Sequence, residues 1–338
     1  MLVKKILIHI VALLFFAVLL TLFLVQSHGD LPVSATWAIE GDAVIPEGSL
    51  TVRFSGTSTL LFSDGKTHWM VDGWFSRPGP LSFFFGTIEP DLDAITFGLA
   101  ANSVSNLAAV IPIHSHYDHA MDSPEVAHRT GALLMGSEST ANIGRGWGLS
   151  EDQIVVLTDR QPFQLGDFKI TPIESVHFQF PDPEIRATAL GNPEISSPLV
   201  PPVRATDYRL GKAYVLVVEH PKGSLAIIGS AGYEIDGLRG YHADIVFLGV
   251  GGLGGQTQEY RNTFWNETVG VLKPSKIVPI HYDSLTAPID QKFVGQSIIL
   301  EYLAGSEDET LPFLEEKEGN SGVTLLTLPR YDEVVIFE

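Results

Sequence analysis

The chain has 338 residues, no cysteine, and a formal net charge of −19 from 40 acidic and 21 basic side chains. That charge repels phosphate backbones, and Lys and Arg form no cluster of five or more, which argues against nucleic acid as a partner. Without cysteine there are no disulfides, thiolate metal sites or Cys nucleophile, while 45% hydrophobic and 18% charged residues suit a globular chain with a sizeable core.

Lys4 and Lys5 precede Ile6 to Val25, an apolar run interrupted only by His9 and Thr21. At about 1.5 Å per residue, a helix of that length crosses a hydrocarbon core about 30 Å thick. A signal-peptide core is usually about 7 to 15 residues, so the run favours an uncleaved anchor. Small residues around Ala35, in "PVSAT", keep a cleaved signal open. Either way the lysines hold the N-terminus inside, and the remainder is expected outside the cytoplasm, membrane-anchored or secreted. Residues 1–30 are read as the anchor or signal segment and 31–338 as one domain.

From Ser49 the pattern changes to short β-type runs. Thr51–Phe54, Thr59–Phe62 and His68–Val71 predict an antiparallel meander with Asp64-Gly65 at a tight turn. A helix is expected over Asp91–Ala101, then the apolar strand "LAAVIPI", then a helix "SPEVAHRTG" with Ser123 as N-cap and Pro124 in its first turn. Further strands are predicted near Leu133 and Val155 and over Phe168–Ile173, Ala213–Glu219, Ser224–Ile228, Ile245–Gly249 and Lys276–Ile280. Helices are predicted near Thr140 and over Tyr260–Leu272 and Asp290–Ala304. Residues 178–202 hold six prolines without periodicity and read as an insert of the lid or binding-loop kind. Two strand-rich halves, each followed by helices, predict sheets inside and helices outside.

Between the strand "LAAVIPI" and the next helix lies "HSHYDH", with His114, His116 and His119 plus Asp118 within six positions. Chance places three histidines so in about one chain in a hundred. On extended backbone His114 and His116 point the same way and can face one ion, while Asp118 and His119 follow on a turn. Imidazole and carboxylate suit Zn²⁺, which takes about three protein ligands and keeps an open position in a catalytic site. His177 and His281 each stand where an apolar strand runs out, which makes them the further ligand candidates.

The motif His-x-His-x-Asp-His, with the opening "SGTSTLLFSDGKTHWMVDGWFSR" and the two later strand-end histidines, resembles the metallo-β-lactamase superfamily across roughly Ser49 to Leu285. The resemblance implies an α/β fold, an αββα sandwich of two mixed sheets with helices on the outer faces. It implies His114, His116 and His177 for a first zinc or other divalent ion, and Asp118, His119 and His281 for a second. The position of the carboxylate that bridges the two metals in the family is taken by Ser230, which leaves one or two ions open; Glu234 or Asp236 could reach back instead. The implied chemistry is hydrolysis of an ester, lactone or phosphodiester bond, with water acidified by the metal as nucleophile and Asp118 orienting it or moving its proton.

Tyr117, Tyr233 and Tyr282 neighbour candidate ligand or bridge positions and are candidate contacts for a developing oxyanion, while Trp74, Phe75, Phe83, Phe84, Phe85, Phe178 and Phe180, where they line the mouth, imply a small-molecule or lipid-like substrate with an apolar portion. A degenerate metal-binding member serving as receptor or scaffold is the alternative. An oxygen-using iron enzyme would need the carboxylate that Ser230 replaces.

Overall fold

The structure, a computed structural model, describes residues 2–298, 300–301 and 307–338. Among the described residues, fourteen strands form two sheets of seven, in the orders β14-β1-β2-β3-β4-β5-β6 and β13-β12-β11-β10-β9-β8-β7. The first holds β1 (Leu50–Gly56), β2 (Thr59–Ser63), β3 (His68–Val71), β4 (Ala109–Ile111), β5 (Leu133–Gly136), β6 (Ile154–Val156) and β14 (Val334–Phe337). The second holds β7 (Phe163–Leu165), β8 (Phe168–Ser175), β9 (Ala213–His220), β10 (Gly223–Ile228), β11 (Ile245–Gly249), β12 (Lys276–Ile280) and β13 (Thr324–Leu325). Both sheets are mixed: β3 to β6 and β10 to β13 run parallel, and the remaining pairs are antiparallel.

The meander follows the sequence pattern because alternate residues divide between two cores. Leu60, Phe62, Trp69, Val71 and Ile111 face the second sheet, where Phe62 stacks on Trp69 at 4.8 Å and meets Phe247 edge-on at 5.2 Å. Leu61, Met70, Val110 and Leu134 face outward onto α3 (Leu92–Ala101) and α5 (Ser123–Thr130). Each such side chain contributes about 1.5–3 kcal/mol on burial. Gly98 lets α3 lie flat on Phe75, since a Cβ there would sit 2.2 Å from the ring. The second sheet is covered by α8 (Gln258–Trp265), which continues as a wider π turn over Asn266–Gly270, and by α9 (Thr310–Ser321).

Three expectations change. The N-cap of α5 is Asp122, not Ser123; the Ser123 hydroxyl instead donates to the carbonyls of Asp72 and His119. The insert contains a short helix, α7 (Pro183–Leu190), whose N-cap Asp182 accepts from the N–H groups of Glu184 and Ile185. The helix expected over Asp290–Ala304 is absent over 290–297. There Phe293 packs edge-on against Phe54 and Tyr282, and the Gln296 side chain bonds Asp283 and Leu285. Tertiary partners thus displace local helical bonds; residues 299 and 302–304 of that expected helix lie outside the described residues.

The N-terminal run is helical over Leu2–Gln26 (α1), and none of its Lys4–Thr21 window is buried against the rest of the chain.

Candidate metal centre

All the elements that carry ligand candidates end at one rim of the sandwich. Beyond β4 the N–H of Ile113 is held by Asp72 Oδ1 at 2.8 Å, and the N–H of Ser115 by the Leu210 carbonyl at 2.9 Å. The Ser115 hydroxyl turns away to Ser137 and Thr140, so His114 and His116 project together to the opposite side. A helical turn, α4 (Tyr117–Ala120), begins at His116 and brings Asp118 and His119 round to the same rim. His177 follows β8, His281 follows β12 and Ser230 follows β10.

Ligand atoms of His114, His116 and His177 lie within 4.8 Å of one another, as do those of Asp118, His119 and His281. His114 Nε2 and His116 Nδ1 are 3.1 Å apart, and Asp118 Oδ2 lies 3.2 Å from His281 Nε2 and 3.5 Å from His119 Nε2. Two nitrogens bound to one tetrahedral zinc lie roughly 3.3 Å apart, so these separations fit the edges of a coordination polyhedron. Their neighbours decide which nitrogen is free. His116 Nε2 is 3.2 Å from the Ala189 carbonyl, and His177 Nδ1 is 2.9 Å from the Phe178 carbonyl. His119 Nδ1 is 2.8 Å from Asp72 Oδ2. A carbonyl can only accept, so His116 and His177 donate there and turn an unprotonated nitrogen inward. His119 Nε2 is buried with no hydrogen-bond partner, an atom waiting for a Lewis acid.

Electrostatics favour ligation at His114, His177 and Asp118, whereas at His119 burial is outweighed by Asp72 and Asp118, which raise the imidazole above its ordinary value. Burial holds His114 and His177 well below the ordinary histidine range, so both are neutral donors. Burial would raise Asp118, but His119 and His281 outweigh it and keep the carboxyl ionised. The backbone is strained around this rim: Thr57, Asp72 and His281 have φ of 54°, 59° and 60°. Such non-glycine positions cost roughly 1–3 kcal/mol each and persist where surroundings over-determine them. Here the N–H of His281 bonds the Thr57 carbonyl, and the N–H of Thr57 bonds Asp283, tying the end of β12 to the β1–β2 turn.

The triads open into a cavity of about 250 Å³ whose wall includes Tyr117, Phe178, Phe83, Phe84 and Phe180. Other candidate contacts lie elsewhere. Trp74 is fully buried under the Arg77 guanidinium, 3.8 Å from the ring centroid. Tyr282 packs on Phe54 and Phe293, and Tyr233 on Tyr260. Ser230 lines the cavity, and its hydroxyl accepts from the N–H of Phe178 at 3.2 Å. Asp236 pairs with Arg239 on the surface, and neither it nor Glu234 lines the cavity. Sequence reasoning missed Asp72, the Ala189 carbonyl and Glu307, a buried cavity-lining carboxylate that accepts from Gly252 and Thr310. Asp72 alone carried a signal, a carboxylate at the end of an apolar strand.

Two facing mixed sheets, helices outside, and a His-x-His-x-Asp-His loop meeting two strand-end histidines decide the architecture. The chain has the metallo-β-lactamase fold. Igni18, a metallo hydrolase from Ignicoccus hospitalis, is 14% identical and superposes with a TM-score of 0.52 over 85% of this chain and 97% of its own. A possible metal-dependent hydrolase from Veillonella parvula is 12% identical, with a TM-score of 0.50 over 85% of this metallo-β-lactamase-fold chain and 99% of its own. In sequence, a UPF0173 metal-dependent hydrolase from Myxococcus xanthus is 26% identical over 141 residues, 41% of this chain and 43% of that protein. The chain thus matches less than half the length of that relative. No family model matches the chain.

Proposed function

We propose that this protein is a zinc-dependent hydrolase, held at a membrane by α1, that cleaves an ester, lactone or phosphodiester bond outside the cytoplasm. The observation that carries the reading is the inward convergence of two ligand triads at one strand-end rim. Five imidazoles and one carboxylate fit zinc better than magnesium or calcium, which take mainly oxygen ligands. His114, His116 and His177 would hold one ion and Asp118, His119 and His281 the other. Bound there, such ions supply Lewis acidity and draw the pKa of water toward neutrality.

The chain's own groups do the rest. Asp72 orients His119, the Ala189 carbonyl orients His116, and Asp118 holds or passes the proton beside the reacting atoms. The aromatic wall receives an apolar portion of the substrate.

The residues immediately after α1 favour anchoring over signal cleavage. Leu31 and Val33 pack on the main core, and Ser27 and Gly29 hydrogen-bond to residues 295–298. Cleavage near Ala35 would remove these contacts. A reporter fused after Glu338 is expected to be active only outside the cytoplasm. Metal content of the purified protein, followed by ester, lactone and phosphodiester substrates, tests the chemistry. Tight zinc binding without turnover of any of them would sink the hydrolase reading and leave a receptor or scaffold.

A further inference from the structure

The segment that leaves α1 does not hang free; it is fastened to a segment that lines the cavity. His28 pairs antiparallel with Ser297, the Ser27 carbonyl accepts from Ile298 at 3.0 Å, and the N–H of Gly29 donates to the Gln296 carbonyl at 2.9 Å. The return bond runs from the N–H of Gly295 to the Gly29 carbonyl at 3.1 Å. Gln296, Leu300 and Glu301, in the segment so paired and just beyond it, line the cavity that the candidate ligand triads open into. Three residue steps lead from Gln26, the end of α1, to Gly29. At roughly 3.3 Å each they span about 10 Å, so a cavity lip fastened there cannot lie far from the interface that α1 enters.

The other side of the mouth carries a second apolar feature. The short helix α2 (Pro80–Phe85) contributes Phe83 and Phe84 to the cavity wall and turns Leu81 and Phe85 outward, 62% and 82% exposed. Ile298, on the lip itself, is 43% exposed. Phe83 and Leu285 cover one apolar cluster around Trp74 and Tyr208, and the N–H of Leu285 bonds the Gln296 side chain. The two sides of the mouth are therefore one connected surface. Exposed Leu and Phe at the rim of an apolar cavity are costly in water and favourable at the headgroup–acyl boundary.

We infer that the cavity mouth faces the bilayer holding α1, with Leu81, Phe85 and Ile298 at the interface, and that the substrate is an amphiphile drawn from that bilayer with its apolar chain entering along Phe83 and Phe84. The inference rests on the anchored-hydrolase reading for its chemistry, but its geometry can be tested without turnover. The chain has no cysteine, so a single Phe85→Cys or Lys222→Cys variant takes one nitroxide label. Lys222 lies in the β9–β10 turn, at the far end of the strand that runs up to Ser230.

The full chain would be reconstituted in dioleoylphosphatidylcholine vesicles and the labels read by power saturation. The label at 85 is expected to be open to oxygen and shielded from a water-soluble nickel chelate, and the label at 222 open to the chelate. If both labels sit in water, the orientation is overturned whatever the activity. A second arm inserts twenty Gly/Ser residues between Gln26 and Ser27, a tether of about 25 Å that keeps the anchor and releases the mouth. Hydrolysis of vesicle-embedded 4-methylumbelliferyl palmitate is expected to fall at least tenfold relative to the soluble butyrate. An unchanged ratio would mean that substrate arrives from water and would overturn the substrate class. If the unmodified chain hydrolyses neither ester, the hydrolase reading fails on these bonds, while the labels still decide the orientation.

Discussion

At one rim of the sandwich two triads of histidine and aspartate converge; at the other, Asp64 of the β2–β3 turn, Asp167 of the β7–β8 turn and His220 at the end of β9 also bring ligand atoms within 4.8 Å. Residue types alone would call both metal sites. At the far rim, though, His220 Nδ1 accepts from the backbone N–H of Lys222 at 3.3 Å, which leaves the ring proton on Nε2. That nitrogen faces Asp64 Oδ2 at 3.6 Å and has no lone pair for an ion. Asp64 spends its other oxygen on the N–H groups of Lys66 and Thr67, closing the turn. At the near rim the neighbours accept protons, so His116 and His177 turn lone pairs inward. The protonation forced by the partners, rather than the composition of the cluster, separates the candidate metal centre from a turn fastening.

The comparison breaks most decisively by removing ligands. His116→Ala or His119→Ala is expected to lower activity more than a hundredfold and to abolish binding of at least one ion, with little change in melting of the metal-free protein, since the strands build the core. His220→Ala should leave metal content and rate within about twofold. Elemental analysis beside kinetics checks both; loss of metal from the His220 variant would reverse the assignment of the two rims.

One step smaller, Asp72→Asn removes the carboxylate behind His119 and is expected to cost tenfold to a hundredfold in metal affinity or rate. Isothermal titration with zinc reads it, and an unchanged affinity would reduce Asp72 to a backbone support for Ile113. Ser230→Asp sharpens the comparison in the other direction. With Asp118 the only carboxylate among the six ligand candidates, an added carboxylate on the cavity wall should tighten metal binding about tenfold, roughly 1.4 kcal/mol. The same affinity in both proteins would mean that residue 230 does not reach the ions.

The smallest effect belongs to the far rim. Burial would raise the Asp64 carboxyl, but the N–H groups of Thr67 and Lys66 and the facing His220 outweigh it and hold it below its ordinary value. A carboxyl depressed on folding stabilises above its unfolded pKa and loses that contribution as pH falls through its folded pKa. Asp64→Asn should therefore destabilise by about 1 kcal/mol near neutral pH, and the gap to the parent should close below about pH 4. Melting curves from pH 7 to 3 check it; a gap that stays constant would show that Asp64 acts only as a turn acceptor.

Much of this molecule is written locally. The alternation in "TLLFS" and "HWMV" assigns inner and outer faces of the meander, and "HSHYDH" after an apolar strand marks the rim where chemistry is expected. His177 and His281 were legible for the same reason: each terminates a strand whose pattern is local. What the sequence could not order were facts about distant partners. Trp74 opens an aromatic-rich run in sequence and Tyr282 follows a candidate ligand, yet both are core residues in space, because Arg77 covers one and Phe54 and Phe293 the other.

Residues 290–297 carried a helix-like pattern, yet their polar groups find Asp283 and Leu285, and their backbone pairs with the segment leaving α1. β14 joins the first sheet by pairing Val52 with Val334, a register no local rule contains. The candidate ligand set thus follows from strand ends and residue chemistry, which local pattern encodes. The tautomers, the aromatic wall and the fastening of the segment after α1 to the cavity lining were decided only by tertiary structure, since each depends on which acceptor or apolar surface the fold brings from elsewhere in the chain.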